Sequence, residues 1–280
     1  AAVTGIAIAG AEEAGVVLSK GDAGWTLPEA WDAPANSDKV KQLLQRLKGL
    51  EKGLAVATTA GARSRFEVTE EKFQRRITLN AGDKELGIIY LGTSPAMRKV
   101  HVRTADADPV YTVSLSAFEV PAKADDWLDS GLVQIPESEL ESIELENLTL
   151  SPSKAEEGAL SWETKDLAEG EQLDQTKAAE LARKIAGLQV RGVLGTEADP
   201  KYRQETPELV LTLQRNGGKT VTWTLSKPEQ GEEYVLKSSE HPWYFGVAAW
   251  AAKPIMETGR RSALMIVPET SAPEPVPGPA

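Results

Sequence analysis

The chain has 280 residues, 41% apolar and 26% charged, which is typical of a globular protein of about two domains at ~150 residues each. Its formal net charge of −11 argues against nucleic acid or an anionic membrane surface as the main partner. The absence of cysteine excludes thiol catalysis, disulfide bonds and cysteine-ligated metal sites. The longest apolar stretch, residues 243–252, ends before Pro254 and is far shorter than the ~20 residues that span a bilayer, so no transmembrane helix is predicted.

Short strands and one amphipathic helix are predicted in the first part of the chain. The strands occupy residues 3–9, 15–19 and 25–27. A helix is predicted to begin at Ser37 or Asp38, because either side chain can cap the first turn. Its apolar residues recur at helical spacing and form one face, wide enough to cover a sheet: Val40, Leu43, Leu44, Leu47 and Leu50. Another strand is predicted over residues 54–57.

The segment that follows is predicted to form antiparallel hairpins, since the gaps between its apolar runs are too short for crossover helices. These strands cover residues 77–79, 86–91, 99–103 and 110–115. Residues 121–140 come next, with an acidic start and the apolar pair Trp127-Leu128. This pattern predicts a short helix docked on the first half of the chain.

The second half of the chain repeats the order of elements of the first. The helical segment 38–50 returns as 176–188, strand 77–79 returns as 211–213, and segment 109–111 returns as 242–244. The matched positions are Trp25 with Trp162, Val40 with Ala178, Leu43 with Leu181, Leu44 with Ala182, and Leu47 with Ile185. A repeat of this length indicates two copies of a whole domain, since solenoid units span roughly 20 to 50 residues.

The predicted fold is therefore α+β, with two tandem duplicated domains, each a mostly antiparallel sheet with one main amphipathic helix packed on it. The first domain is expected over residues 1–136, including the docked linker helix, and the second over residues 137–267. The proline-rich residues 268–280 are expected to form a disordered tail. The chain begins at Ala1 and not at a methionine, which indicates a processed or trimmed N-terminus. Alanines in the second helix predict less buried apolar surface than in the first.

Motifs of known nucleotide or acyl-transfer chemistry are incomplete. Residues 217–220 resemble the end of a phosphate-binding loop, but Leu213 replaces the required first glycine, so a hairpin turn is predicted. Residues 151–154 fit a Ser-x-x-Lys pattern, but Pro152 is expected in a loop and the companion motifs are missing.

Metal ligands are equally sparse in the sequence. His101 and His241 have no neighbouring ligands and are interpreted as structural histidines. The acidic pairs Asp106/Asp108 and Asp125/Asp126 lack the glycine and distal glutamate of a calcium loop. Solvated carboxylates are the favoured interpretation, and a weak calcium site stays open as the alternative. No catalytic, cofactor-binding or metal-binding residue is predicted.

The densest aromatic segment is the best candidate for a functional surface. Trp243, Tyr244 and Trp250 lie close together in the sequence, and we interpret them as core packing of the second domain or as a partner surface. Trp25 and Trp162 recur at matched positions and are predicted to anchor the fold. The acids Asp125, Asp126 and Asp129 are the polar candidates, for an interaction surface or for a site between the domains.

The tandem α+β copies, the helix at 39–50, the strand Pro-Val-Tyr-Thr-Val at 109–113 and the segment Ala-Asp-Asp-Trp-Leu-Asp at 124–129 together resemble the bacterial family called domain of unknown function 4340. The resemblance extends over about residues 3–264. It implies a protein that follows an N-terminal membrane helix, absent from this sequence, and faces the outside of the cytoplasmic membrane. It also implies an association with ABC transporter parts of the gliding-motility type, and it supplies no catalytic residues.

The sequence thus favours a non-enzymatic, periplasmic, membrane-anchored protein that binds or scaffolds protein partners, with ABC transporter subunits as the expected partners. Neither a cofactor nor nucleic acid is expected. The alternative is a ligand-binding or hydrolytic protein whose site lies in the cleft between the two repeats.

Overall fold

A computed structural model describes residues 2–154 and 160–266. The chain divides into two compact units. The first holds the described residues up to Leu132 together with Val190–Glu197, and the second holds Val133–Gln189 and the described residues from Ala198 onward. Each unit is built from helices and an antiparallel sheet, so the predicted α+β class is confirmed. The predicted tail, residues 268–280, lies outside the described residues.

The first unit is organised around an antiparallel sheet. Its strands are β1 (Gly5–Gly10), β2 (Val16–Gly21), β3 (Gly24–Leu27), β4 (Ala33–Pro34), β5 (Arg75–Ala81), β6 (Lys84–Leu91), β7 (Val100–Thr104) and β8 (Tyr111–Val113). They lie in the order β4-β3-β2-β1-β5-β6-β7-β8. Alternation of side chains explains the core face, because Ile6 and Ile8 on β1 and Ile77 on β5 are all buried.

The second unit has its own antiparallel sheet. The remaining strands of the chain are β9 (Leu140–Leu145), β10 (Leu148–Lys154), β11 (Leu160–Glu163), β12 (Gln172–Leu173), β13 (Gly192–Gly195), β14 (Leu209–Arg215), β15 (Lys219–Ser226), β16 (Tyr234–Ser238), β17 (Tyr244–Val247) and β18 (Met265–Ile266). Those of the second unit's sheet lie in the order β11-β10-β9-β14-β15-β16-β17, and β12 pairs with β18 in a small ribbon. Strand β13 falls in the segment that belongs to the first unit.

The α-helices are α1 (Ser37–Lys48) and α2 (Ala60–Arg65) in the first unit, and α3 (Gln175–Ala186), α4 (Ala249–Thr258) and α5 (Arg261–Leu264) in the second. Short 3-10 helices occupy Pro28–Ala30, Ala117–Glu119, Ala124–Asp126, Glu137–Glu139 and Pro200–Tyr202. In the part of the chain that the structure describes, every helix is too short or too polar to cross a bilayer.

Helices α1 and α3 begin in the same way. The side chain of Asn36 accepts a hydrogen bond from the Lys39 N–H at 2.9 Å, and that of Asp174 accepts one from the Lys177 N–H at 3.1 Å. Each cap satisfies a backbone donor that the first turn leaves without a helical partner. The predicted cap of α1, Ser37 or Asp38, is therefore wrong by at least one residue.

The apolar faces of the two helices differ in how completely they are buried. On α1, Val40 and Leu43 are buried, whereas Leu44 and Leu47 are only half-buried. Leu50, predicted on the same helical face, lies beyond the end of α1 and is also half-buried. On α3, the apolar face is fully buried: Ala178, Leu181, Ala182 and Ile185 are each 0% exposed. Helix α4 packs against α3, whereas in the first unit residues 114–132, which follow β8, form only 3-10 turns. The difference therefore comes from a neighbouring helix, which the side-chain sizes on α1 and α3 do not reveal.

Close packing of α3 predicts that enlarging Ala182 is harmful. Ala182→Leu should lower the free energy of unfolding by ~1–3 kcal/mol, because the added methylenes meet a site that is already filled. Denaturant unfolding of the whole chain measures the change. Ala60→Leu, at an exposed alanine of α2, is the control and should be nearly neutral. An Ala182→Leu protein more stable than its parent would show that α3 is loosely packed.

Two further predictions for the first unit have different outcomes. Residues 54–57 do not form the predicted strand: Leu54 is 94% exposed, and only Ala57 makes an isolated bridge, to Val110. This apolar run has no neighbouring strand along most of its length. The predicted short helix after residue 121 is a single 3-10 turn at Ala124–Asp126. Trp127, which follows it, is fully buried and donates its indole N–H to the Pro121 carbonyl at 2.9 Å.

The matched tryptophans lie in the cores. Trp25 on β3 is 5% exposed and Trp162 on β11 is 1% exposed, so their predicted anchoring role is confirmed. The side chain of Gln175, at the start of α3, accepts from the Trp162 N–H at 3.0 Å and donates to the Trp162 carbonyl. These two bonds satisfy the backbone of Trp162 on the side of β11 that faces away from β10.

Candidate functional site

The aromatic candidates lie around β17 and at the start of α4. Trp243 immediately precedes β17 and is half-buried. Its ring stacks on His241, with centroids 5.9 Å apart and planes inclined by 26°, and lies 6.1 Å from the fully buried ring of Phe245. Trp243 is therefore attached to the core of the second unit, and one part of its ring stays accessible.

Tyr244 is half-buried and held by contacts on its ring. Its centroid lies 5.2 Å from that of Tyr202 and 4.8 Å from Nζ of Lys237. The Lys237 ammonium also donates to the carbonyls of His241 and Pro242, at 2.7 and 2.8 Å. Burial lowers the pKa of Lys237 from its ordinary value, and the two carbonyls offset part of the cost of burying its charge. Lys237 thus fixes the turn that leads into β17.

Trp250 is the exposed member of the aromatic group. It is the second residue of α4 and is 75% exposed, whereas Ala252, Ile255 and Met256 on the same helix are buried. A large aromatic side chain on an anchored helix loses little conformational entropy on binding, and tryptophan is enriched at the energetic centres of interfaces. Core packing therefore describes Trp243 and Tyr244 in part, and it does not describe Trp250.

The three acidic candidates differ in their exposure to solvent. Asp125 and Asp126 lie side by side on the 3-10 turn and are exposed. Asp129 is half-buried: its N–H donates to the Pro34 carbonyl at 3.0 Å, and its carboxylate accepts from the Gly131 N–H at 3.1 Å. Asp129 is therefore a turn residue of the first unit, and only the other two acids share a surface.

A polar hollow of about 330 Å³ lies beside Asp129 and the start of α1. Its polar side chains are already engaged within the fold. Asn36 caps the Lys39 N–H, Asp38 pairs with the Lys41 ammonium at 2.9 Å, and Asp129 binds the Gly131 N–H. These groups do not converge on a common point, so the hollow has the character of a capped helix start.

Within residues 2–154 and 160–266, no group of three or more histidine, aspartate or glutamate side chains is placed to hold a metal ion. His101 is 7% exposed, its Nδ1 lies 3.0 Å from the Thr93 hydroxyl, and its ring centroid is 4.1 Å from that of Phe66. The structural interpretation of His101 is therefore confirmed.

The two segments that resemble known motifs, residues 217–220 and 151–154, lie on the second sheet. Gly217 and Gly218 form the turn between β14 and β15 with φ of 84° and 74°, which confirms the predicted hairpin. Pro152 was expected in a loop, but it belongs to β10, where it pairs with Trp162. A serine on a strand does not meet the requirement of the Ser-x-x-Lys pattern for a helix start.

Several exposed apolar side chains were missed in the sequence. Phe118 and Leu54 are each 94% exposed and Met97 is 90% exposed. For Phe118 a signal was present: Ser116 and Glu119 form a capping box around a short 3-10 helix, which places the residues between them at the surface. Leu54 and Met97 lie in loops with no comparable local signal.

Comparison with known proteins identifies a family only. The family model described as "Domain of unknown function (DUF4340)" matches residues 25–207. No curated protein and no solved structure matches the chain. The match covers the aromatic anchor positions 25 and 162, helices α1 and α3, and the acidic 3-10 turn.

Proposed function

The chain belongs to the DUF4340 family, and from this premise we propose that it is a non-enzymatic binding and scaffold protein of the bacterial envelope. Its polar candidates support this proposal. Asp129 and Asn36 are engaged in turns and caps, and Lys237 supports a turn. None of these groups is arranged as an acid, base or nucleophile toward a common point, as a hydrolytic site requires.

The observation that carries the proposal is Trp250. Trp250 is 75% exposed on a helix whose other residues Ala252, Ile255 and Met256 are buried, so its side chain is accessible and the helix that carries it is anchored. Trp243 adds a half-buried aromatic ring at the entrance to the preceding strand, β17. An exposed tryptophan costs solvation free energy in the free protein, and contact with a partner removes that cost.

We expect Trp250→Ala to weaken partner capture without weakening the fold. The bait is the full-length protein in detergent-solubilised membranes of the native host, and the readout is the amount of each captured protein. Loss of a central tryptophan should reduce affinity about thirtyfold, as for an interface residue worth ~2 kcal/mol. Leu54→Ala, which removes another side chain that is 94% exposed, is the matched control. Equal capture by both variants would show that Trp250 lies outside the interface.

The proposal includes two copies of one fold. Its support is the common strand order of the two sheets, in which β1, β2, β3, β5, β6, β7 and β8 correspond to β9, β10, β11, β14, β15, β16 and β17. Cross-strand registers agree as well. The corresponding pairs are Ile6–Leu79 with Ile143–Leu213, Ile8–Ile77 with Leu145–Leu211, and Ile77–Ile89 with Leu211–Trp223. A one-residue slip would reverse every side chain, so agreement over these strands supports duplication.

At the last strand, the proposed duplication implies a match that differs by one residue from the match in the sequence. Tyr111 pairs with Val102, and Phe245 pairs with Leu236. Since Val102 and Leu236 occupy corresponding places on β7 and β16, Tyr111 corresponds to Phe245. The match of Tyr111 with Tyr244 is therefore displaced by one residue.

We also propose the extracytoplasmic location and the ABC transporter partners that the family resemblance implies. The absence of cysteine from the chain allows a direct test of location. A single cysteine introduced as Leu54→Cys is placed on a side chain that is 94% exposed. In intact cells, a membrane-impermeant maleimide should label this cysteine in the full-length protein. Labelling only after the cytoplasmic membrane is opened would contradict the location.

A further inference from the structure

A hollow of about 410 Å³ opens on the first sheet, and we name it the Gly87 hollow. Leu79, Gly87, Ile89 and Thr104 line it. Gly87 pairs with Leu79, and Thr104 pairs with Ile89, so the four positions share one face of β5, β6 and β7. This is the core face, because Ile77, the other partner of Ile89, is fully buried.

The corresponding place in the second sheet is filled. In the registers of β14, β15 and β16, the matching residues are Leu213, Val221, Trp223 and Ser238. Each is at most 1% exposed. In the Gly87 hollow, Leu79, Ile89 and Thr104 are half-buried, and a Cβ added at Gly87 would meet no atom within 4 Å. Glycine in place of valine and isoleucine in place of tryptophan thus leave an open apolar space.

The edge of the hollow lacks a cation that the second sheet has. Two residues after Ser238, Glu240 is paired with Lys219 and with Arg215, whose Nη1 lies 3.3 Å from its carboxylate. Asp106 stands at the matching place, two residues after Thr104. The cross-strand pair Arg215–Lys219 corresponds to Ala81–Lys84, so alanine replaces the guanidinium.

Two carboxylates at this edge are available to a partner. Glu85 and Asp106 both line the hollow and are exposed. Within the described residues, neither has a cationic side chain within 4.0 Å. The hollow therefore combines an apolar floor with an anionic edge. In the second sheet, tryptophan stands at the position of Ile89 and arginine at the position of Ala81.

We infer that the Gly87 hollow binds a segment of a partner protein that inserts one large apolar side chain, tryptophan above all, next to an arginine or lysine that pairs with Asp106. The chain's own residues 268–280 do not meet this requirement, because they contain neither an aromatic nor a basic residue. The inference deepens the proposed binding function and rests on it, since it names a second contact surface and the chemistry of its occupant.

The dipeptide N-acetyl-Arg-Trp-amide is a suitable probe, and methyl NMR of the whole chain is the readout. We expect titration to shift the methyl signals of Leu79, Leu86 and Ile89. N-acetyl-Arg-Ala-amide should cause no comparable shifts, and N-acetyl-Glu-Trp-amide should bind several-fold more weakly. The same response to all three dipeptides, or none at these methyl groups, would overturn the inference.

Two variants distinguish the apolar contribution to probe binding from the ionic contribution. Ile89→Trp places the residue of the second sheet in the hollow and should abolish the shift of Leu79, with folding checked by the thermal melt. Asp106→Asn leaves the hollow open and should weaken binding of the Arg-Trp probe about two- to fivefold, as expected for one exposed ion pair. Glu70→Gln removes an equal charge in another exposed loop and is the matched control. Equal affinities of these two charge variants would contradict the role of Asp106.

Other occupants are distinguished by separate measurements. A second copy of the chain in the hollow would appear in sedimentation as a concentration-dependent dimer that Ile89→Trp abolishes, and this would overturn the inference. Failure of the dipeptide to bind, together with intact capture of membrane partners through Trp250, would reject the Gly87 hollow and leave the proposed function standing. Failure to capture membrane partners, together with intact dipeptide binding, would reject the proposed function and leave the Gly87 hollow as a binding site.

Discussion

Ile185→Ala should lower the free energy of unfolding by ~2–5 kcal/mol, whereas Leu47→Ala at the matched position of α1 should cost only ~1–2 kcal/mol. Ile185 is 0% exposed on α3, a helix that contacts α4 and β11, whereas Leu47 is half-buried. Truncation of Ile185 therefore leaves a cavity, while water already reaches part of the Leu47 side chain. Sequence patterning alone predicts equal harm from the two substitutions.

Denaturant unfolding of the whole chain, followed by circular dichroism, checks this difference. Two units can unfold in separate steps, so each transition is fitted separately and compared with that of the parent protein. A loss from Leu47→Ala as large as that from Ile185→Ala would contradict the difference in burial between the two helices.

Gly92→Ala should lower the free energy of unfolding by at least ~3 kcal/mol, at the upper end of overpacking effects. A Cβ at Gly92 would lie 1.9 Å from the Phe66 carbonyl oxygen and 2.6 Å from that of Glu67. These are backbone atoms, and the Phe66 carbonyl is held by the Thr93 N–H at 2.9 Å. The loop that carries Phe66 and covers the outer face of β6 would therefore have to move away.

Gly61→Ala is the control for this substitution. Gly61 lies in α2, and an added Cβ there meets no atom within 4 Å. Alanine at that position should stabilise the helix by ~0.5–1 kcal/mol, because glycine loses more backbone entropy on folding. Thermal melts of both variants decide the matter. A Gly92→Ala protein that melts with its parent would show that the loop at Phe66 and Glu67 yields easily.

Strands and the two main helices could be predicted because their patterns are local. Alternation on β1 and β5, and the spacing of apolar residues on α1 and α3, depend on neighbours a few residues apart. Helix α4 could not be predicted in this way. No helix was predicted at these residues, and α4 contains Pro254 in its interior. The helix tolerates this proline because the carbonyl that loses its donor belongs to Trp250, on the exposed side where water can bind it.

The residue types of the candidate site could be predicted from the sequence, but the solvent exposure of its side chains could not. The aromatic cluster at residues 243–250 was recognised, but its division into half-buried Trp243 and exposed Trp250 depends on α4, which the sequence did not reveal. Asp129 was grouped with Asp125 and Asp126 by proximity in sequence, but its N–H donates to the carbonyl of Pro34, far away along the chain. Long-range contacts of this kind leave no periodic trace.

Site-specific photo-cross-linking from position 250 tests most directly whether this protein is a binding module of the envelope. A photoreactive phenylalanine analogue replaces Trp250 in the full-length protein, and the same analogue at exposed Leu54 serves as the control. Irradiation of native membranes should yield adducts with integral subunits of a transporter from position 250 and far fewer from position 54. Equal yields from both positions, or adducts with cytosolic proteins only, would contradict the proposed function.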